Sequence, residues 1–260
     1  MMDKASFAGI FLALGGILAG LLVEGGNLGQ ILQPTAAMIV LGGTLGAVLL
    51  QFPMRTVAAA FARTAHAFAP PRKQHDQTIQ MLVNFANKAR RSGVVSLDSD
   101  LQSIDDPFLR QALMLAVDGT EPTDLRNIMQ VSLDCISESE DRLPAVFESA
   151  GGFAPTIGIL GAVLGLIQVM HHLDNMQEVG RGIAVAFVAT VYGVGIANLF
   201  FLPLAGKLRL RIREDYMERE MMIEGVVSIL EGMNPRMLEV KLGGFVEDNS
   251  SGKDRLERAA

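Results

Sequence analysis

The chain has 260 residues, half of them hydrophobic, with a net charge of −6 and a single cysteine. Cys135 alone excludes an intrachain disulfide, and four scattered histidines offer no metal-ligand spacing. The acidic balance, with no basic stripe interleaved with aromatics, argues against nucleic acid as a partner. No Walker-type glycine loop and no nucleophile–base pair stands out, so the sequence predicts neither an enzyme nor a bound cofactor.

The apolar residues collect in four blocks, 6–23, 35–52, 152–170 and 182–204, none containing Asp, Glu, Lys or Arg. A bilayer core of about 30 Å needs about 20 helical residues, and soluble helices of that length ordinarily carry one polar face. The blocks therefore predict an all-α membrane protein with four transmembrane helices. The first block follows a weak n-region, in which Asp3 offsets Lys4, and ends on Leu21, Leu22, Val23 and Glu24, a poor cleavage site. It reads as an uncleaved span.

Lysines and arginines set the expected orientation. Of 22, ten lie in 53–151 and ten after Leu204, while the connectors 24–34 and 171–180 have none. The positive-inside rule places both termini and the middle segment in the cytoplasm. The expected organisation is spans one and two in 1–52, a helical cytoplasmic domain in 53–151, spans three and four in 152–204, and a cytoplasmic tail in 205–260.

In chain order, 77–91 puts Ile79, Leu82, Val83, Phe85, Ala86 and Ala89 on one stripe. Lys88, Arg90 and Arg91 crowd its last turn, where the helix dipole favours them, and Gly93 is a stop. Asp106 and Pro107 form an N-cap and first-turn pair opening a helix over 108–117, which Gly119 closes. Glu121 and Pro122 open a longer helix to about Ser149, expected to break or bend near Pro144. Cys135 on that helix reads as a small packed residue. After the fourth span a charged helix is expected over 207–233, and disorder from Gly243 onward.

Within the spans, Gly158, Gly161 and Gly165 lead the small residues, with GxxxG spacing from 161 to 165. Such residues serve close helix packing, either within one subunit or between subunits. The polar content of spans three and four is Thr156, Gln168, Thr190, Tyr192 and Asn198, with no carboxylate. Proton relays and ion pumps ordinarily carry an intramembrane carboxylate, so any ion path through this chain needs one from a partner. A membrane threonine equally serves as a back-bonded helix residue.

The runs FAPTIGILGAVLGLI (153–167), GIAVAFVATVYGVGIANLFFLPLAGKL (182–208) and NKARRSGVVSLDSDL (87–101) resemble the A subunit of the bacterial flagellar stator, the MotA/PomA family. The likeness is greatest to its shorter PomA and MotC-type branch, and it extends to about Pro235. The third- and fourth-span patterns also occur in ExbB and TolQ energisers, whereas the long insert marks the stator branch. The resemblance implies an inner-membrane, multi-pass subunit, five copies of which surround two one-span MotB/PomB-type B subunits carrying the ion-binding aspartate. It implies an ion path at Thr190, with Thr156, Ala162 and Tyr192 nearby, and coupling prolines at Pro155 and Pro203. It implies contact with the rotor protein FliG through Arg90 and Asp98. Sodium-driven relatives carry threonine where this chain has Ala162, and often where it has Ala189. Losing those hydroxyls leans toward protons, with sodium as the alternative, because sodium must exchange hydration oxygens for protein oxygens. An ExbB/TolQ-like energiser and a helical scaffold without ion flux stand as alternative functions.

Overall fold

The computed structural model describes residues 4–68 and 74–245, and every regular element among them is helical. They fall into two compact units, Met1–Pro70 with Glu140–Arg211, and Pro71–Ser139 with Ile212–Ala260.

The first unit holds α1 (Lys4–Val23), the short α2 (Leu28–Ile31), α3 (Pro34–Gln51) and α4 (Met54–Ala67). It also takes the second part of α7 (Pro122–His171), α8 (Met176–Ile196), the π-helical turn Ala197–Phe201 and the start of α9 (Leu202–Leu230). Among the described residues, three helices are long and apolar enough to cross a membrane: Pro34–Gln51, Pro122–His171 and the continuous Met176–Leu230. Of the expected first span, Ala8–Val23 is an apolar helix below that length. Pro34 opens α3, where a missing N–H costs nothing, and Pro53 ends it by holding Phe52 in an extended conformation. The amphipathic α4 turns Val57 and Ala60 inward, and its Phe61 meets Phe147 edge to face at 5.2 Å between centroids.

The second unit contains α5 (Gln74–Ser92), a 3-10 segment (Val94–Ser103), α6 (Pro107–Val117), the first turns of α7, the last turns of α9, and a helix α10 over 235–245. Leu82, Leu97, Leu113, Leu125, Met129, Leu133, Met221 and Val226 are buried in its core. The stripe expected on α5 is the one buried there, with Val83 partly so. Gly93 ends the helix at φ 80, a conformation that favours glycine. Asp106 caps α6 by accepting from the N–H groups of Phe108 and Leu109, and Gly119 follows at φ 85.

Three expectations are corrected. The helix expected to break or bend near Pro144 and to stop near Ser149 does not break: it runs as one helix from Pro122 to His171, with Pro144 and Pro155 inside it. Proline removes a single hydrogen bond, and the packing of the turns that follow Pro144 (Val146, Phe147 and Ala150 are buried) holds the remaining ladder. Gly243 to Phe245 are helical rather than disordered, because Leu238, Leu242 and Phe245 recur at helical spacing and pack on the second core. The expected disorder over 246–260 lies outside the described residues. Cys135 is exposed, not packed.

Candidate functional site

Spans three and four meet through backbone. A Cβ at Gly165 would lie 2.8 Å from the Ala186 nitrogen and the Gly182 oxygen, and one at Gly158 would lie 2.9 Å from the Ala189 oxygen. A Cβ at Gly161 would sit 2.9 Å from that of Ala189 and 3.3 Å from Ile39 of α3. The GxxxG spacing therefore serves packing inside one subunit: no side chain but hydrogen fits between α7 and α8. Ala36, Val40, Val188 and Ala189 continue this small-residue core between α3 and α8. By contrast, Gly15, Gly16, Gly20, Gly42 and Gly46 have open space where a Cβ would stand.

The polar side chains of the spans are local in their bonding. Thr190 is half-buried on α8 and donates to the Ala186 carbonyl at 3.3 Å. Thr156 is exposed on α7 and donates to Phe153 at 2.8 Å, one residue after Pro155. Such a back-bonded hydroxyl keeps its lone pairs, so it can still accept from water or face a cation. Ala162 is half-buried on α7, and Ala189 is fully buried. Tyr192 is drawn elsewhere. Its hydroxyl donates to the Ile31 carbonyl at 2.6 Å and accepts from Gln33 N–H at 3.4 Å, tying α8 to the connector before α3.

The two prolines share one neighbourhood. Pro155 cannot donate to the Gly151 carbonyl one turn back, and Pro203 leaves the Leu199 carbonyl in the same state. Around Pro203 the ladder slips to π spacing, with the Leu202 N–H donating to Ala197. A Cβ at Gly151 would lie 2.7 Å from Leu202 and 3.6 Å from Phe201, so the loosened turn of α7 rests on the π turn before Pro203. Just beyond, Arg209 pairs with Glu148, Arg63 lies 3.4 Å from Glu140, and Lys207 stands 4.9 Å over the Phe68 ring. Sequence reading missed this pairing of weak turns, because nothing in spacing alone brings residue 151 to residue 202. It also passed over Thr44 on α3, whose signal was simply a polar residue in an uncharged run.

In the second unit, Arg90 lies in the last turn of α5 and Asp98 on the 3-10 segment, both exposed. Lys88 fixes that segment to α5 through Asp100 at 2.6 Å and Ser99 at 3.0 Å. Asp98 takes no part in that clasp, and among the described residues neither Arg90 nor Asp98 has an ion-pair partner. Arg90 and Arg91 border an open cleft of about 380 Å³ with Asn87, Asn234, Arg236 and Glu239. Two charges of opposite sign are thus left available on a rigid frame.

Residues 100–221 match the MotA/TolQ/ExbB proton channel family, and residues 7–93 match the motility protein A N-terminal family. Motility protein A of Bacillus subtilis is 35% identical over 259 residues, covering 99% of this chain and 94% of that protein. Motility protein A of Helicobacter pylori is 32% identical over 98% of this chain and 100% of its own length. Chemotaxis protein PomA of Vibrio alginolyticus is 28% identical over 98% of this chain and 99% of its own. The fold is shared with a chain of the C. jejuni MotAB structure, at TM-score 0.88 and 32% identity, covering 94% of this chain and 96% of that one. It is shared equally with a chain of the flagellar MotAB stator complex from Bacillus subtilis, at TM-score 0.86 and 35% identity, covering 99% and 100%. Identity along almost the whole length, with the same fold, makes the conclusion plain: this chain belongs to the MotA/TolQ/ExbB proton channel family, as a multi-pass membrane subunit of the flagellar stator.

Proposed function

We propose that the chain forms the ion path of its stator jointly with a one-span MotB/PomB-type partner, and turns proton flow into torque on the rotor protein FliG. The observation that carries this is an absence within the membrane blocks: 152–170 and 182–204 have no Asp, Glu, Lys or Arg. The titrating carboxylate of a proton path must then come from the partner's span. Five copies around two partner chains is the assembly the family resemblance supports. In that assembly α1 is the first of four spans, and the lysine and arginine bias puts both termini in the cytoplasm.

Thr190 is the residue of the A subunit that faces the partner's aspartate. Thr156, Ala162 and Tyr192 accompany it, Tyr192 chiefly by fixing α8 against the α3 connector through Ile31. Replacing Thr190 by Val should abolish swimming while leaving the protein assembled in the membrane; normal swimming would remove it from the path. The reading of protons over sodium is supported by Ala189, buried against Gly161, and by Ala162, neither of which has an oxygen to offer a hard cation. Swimming speed that follows external sodium rather than proton-motive force would overturn it.

Pro155 and Pro203 are the points at which ion arrival bends the helices, supported by the contact between Gly151 and the π turn. Arg90 and Asp98 register the rotor, supported by their exposure and by the lack of an ion-pair partner for either among the described residues. Arg90→Glu should impair motility and recover partly when an opposing rotor charge is reversed. The central test is deletion of the gene in a cell with a single stator set, which should leave flagella assembled but paralysed.

A further inference from the structure

We propose that the cavity between α3, α4, α7 and the π turn is a binding site for a membrane-dissolved phenol, a single aromatic ring carrying one hydroxyl. The cavity measures about 210 Å³, and Phe61, Phe147 and Phe201 line it together with Thr44, Val48 and Val57. All of its walls belong to the first compact unit. Three phenyl rings around one space favour an aromatic occupant, which can stack or meet them edge on, as Phe61 and Phe147 already meet each other.

The hydroxyl is what gives the site its chemistry. Thr44 is 3% exposed, and its Oγ1 is the buried side-chain oxygen without a hydrogen-bond partner among the described residues. Thr64, Thr156 and Thr190 all donate to carbonyls of their own helices and the buried Thr78 donates to Glu218, whereas Thr44 does neither. A buried hydroxyl with no partner costs roughly 1–3 kcal/mol, and a ligand that supplies one polar atom recovers that cost. An alkane cannot do so, and an ion would find no countercharge in this lining.

The mouth decides where the ligand comes from. Leu41 and Leu45 at the rim are about half exposed and lie on a helix able to cross the membrane. Val57 and Phe61 lie on the amphipathic α4, just past the end of that helix. The opening therefore faces hydrocarbon near its boundary with water, where phenols concentrate. An occupant would also rest on Phe201, within the irregular turn before Pro203.

The test uses the full chain, purified with its one-span partner in nanodiscs, and follows 4-fluorophenol and fluorobenzene by fluorine NMR. Saturable binding is expected, with 4-fluorophenol held more tightly than fluorobenzene. Thr44→Val, close in volume, should weaken 4-fluorophenol about five- to tenfold and leave fluorobenzene unchanged. Ala150→Phe, which fills the cavity from its lining, should remove both. The proposal is overturned by binding that never saturates, by an unchanged phenol-to-benzene ratio in Thr44→Val, or by a map of the assembled complex with a neighbouring copy's side chain in the cavity. Because the readout is binding, failure here would leave the proposed ion path and rotor contact standing, and paralysis of a Thr190 variant would not bear on it.

Discussion

The two compact units solve the packing problem in opposite ways. In the second, large side chains go inside: Leu82, Leu113, Leu125 and Met221 are buried. In the first, the contacts that join α7 and α8 are made by Gly158, Gly161, Gly165, Gly182 and Gly193, while Ile159, Leu160, Val163 and Leu164 are exposed. The solvent accounts for the inversion. Water expels apolar side chains, so a core of leucines is its own driving force. Hydrocarbon does not, so membrane helices associate by bringing backbones close, and their leucines face lipid.

That contrast can be broken at chosen residues. The largest effect is expected for Leu82→Ala in the second unit, which leaves a cavity and should cost about 2–5 kcal/mol in chemical unfolding. If Leu160→Ala in the first unit cost as much, the inversion described above would be wrong. Next, Gly165→Val should cost about 1–3 kcal/mol or more, because the added carbons meet the Ala186 and Gly182 backbone. Gly42→Ala, with open space around it, should be nearly silent in the same chemical-unfolding measurement. A smaller effect, about 1 kcal/mol, is expected from Asp106→Ala, which removes both N-cap hydrogen bonds of α6.

The smallest effects separate two carboxylates on α9. Burial pushes Glu218 above the ordinary carboxylate range, against the opposing influence of His75 and a 3.2 Å hydrogen bond from Thr78. Burial also works on Glu224, but hydrogen bonds from Lys241 and Arg126 outweigh it and hold that group below the ordinary range. The signs follow from linkage. Glu224 adds stability above its unfolded pKa, lost as pH falls through the lower folded value. Glu218 is favoured as the neutral acid, so folding weakens as pH rises from its unfolded pKa through the raised folded value. At neutral pH, Glu224→Gln should destabilise by about 1 kcal/mol, limited by the exposure of Arg126, while Glu218→Gln should stabilise slightly. Melting curves between about pH 3 and 7, a window that spans the ordinary carboxylate pKa of about 4 on both sides, should show the two variants diverging in opposite directions.

Much was legible without coordinates where the determinants are local. The Asp106–Pro107 cap, the stop at Gly93 and the stripe on α5 each depend on residues within a turn or two, and the structure places them as read, while three of the four uncharged apolar runs lie in helices long enough to cross a membrane. The absence of any carboxylate from the spans, and with it the need for a partner, is likewise a property of sequence alone. What depended on distant residues was not legible. Pro144 suggests a break, but buried neighbours carry α7 through it. Residues 243–245 look polar and loose until Leu238, Leu242 and Phe245 find the second core. Only the tertiary structure decided that the third-span glycines pack inside one subunit, that Gly151 rests on the turn before Pro203, and that Thr44 is buried without a hydrogen-bond partner among the described residues. Those outcomes are set by which backbone lies opposite, a contact between residues far apart in the chain that no local pattern encodes.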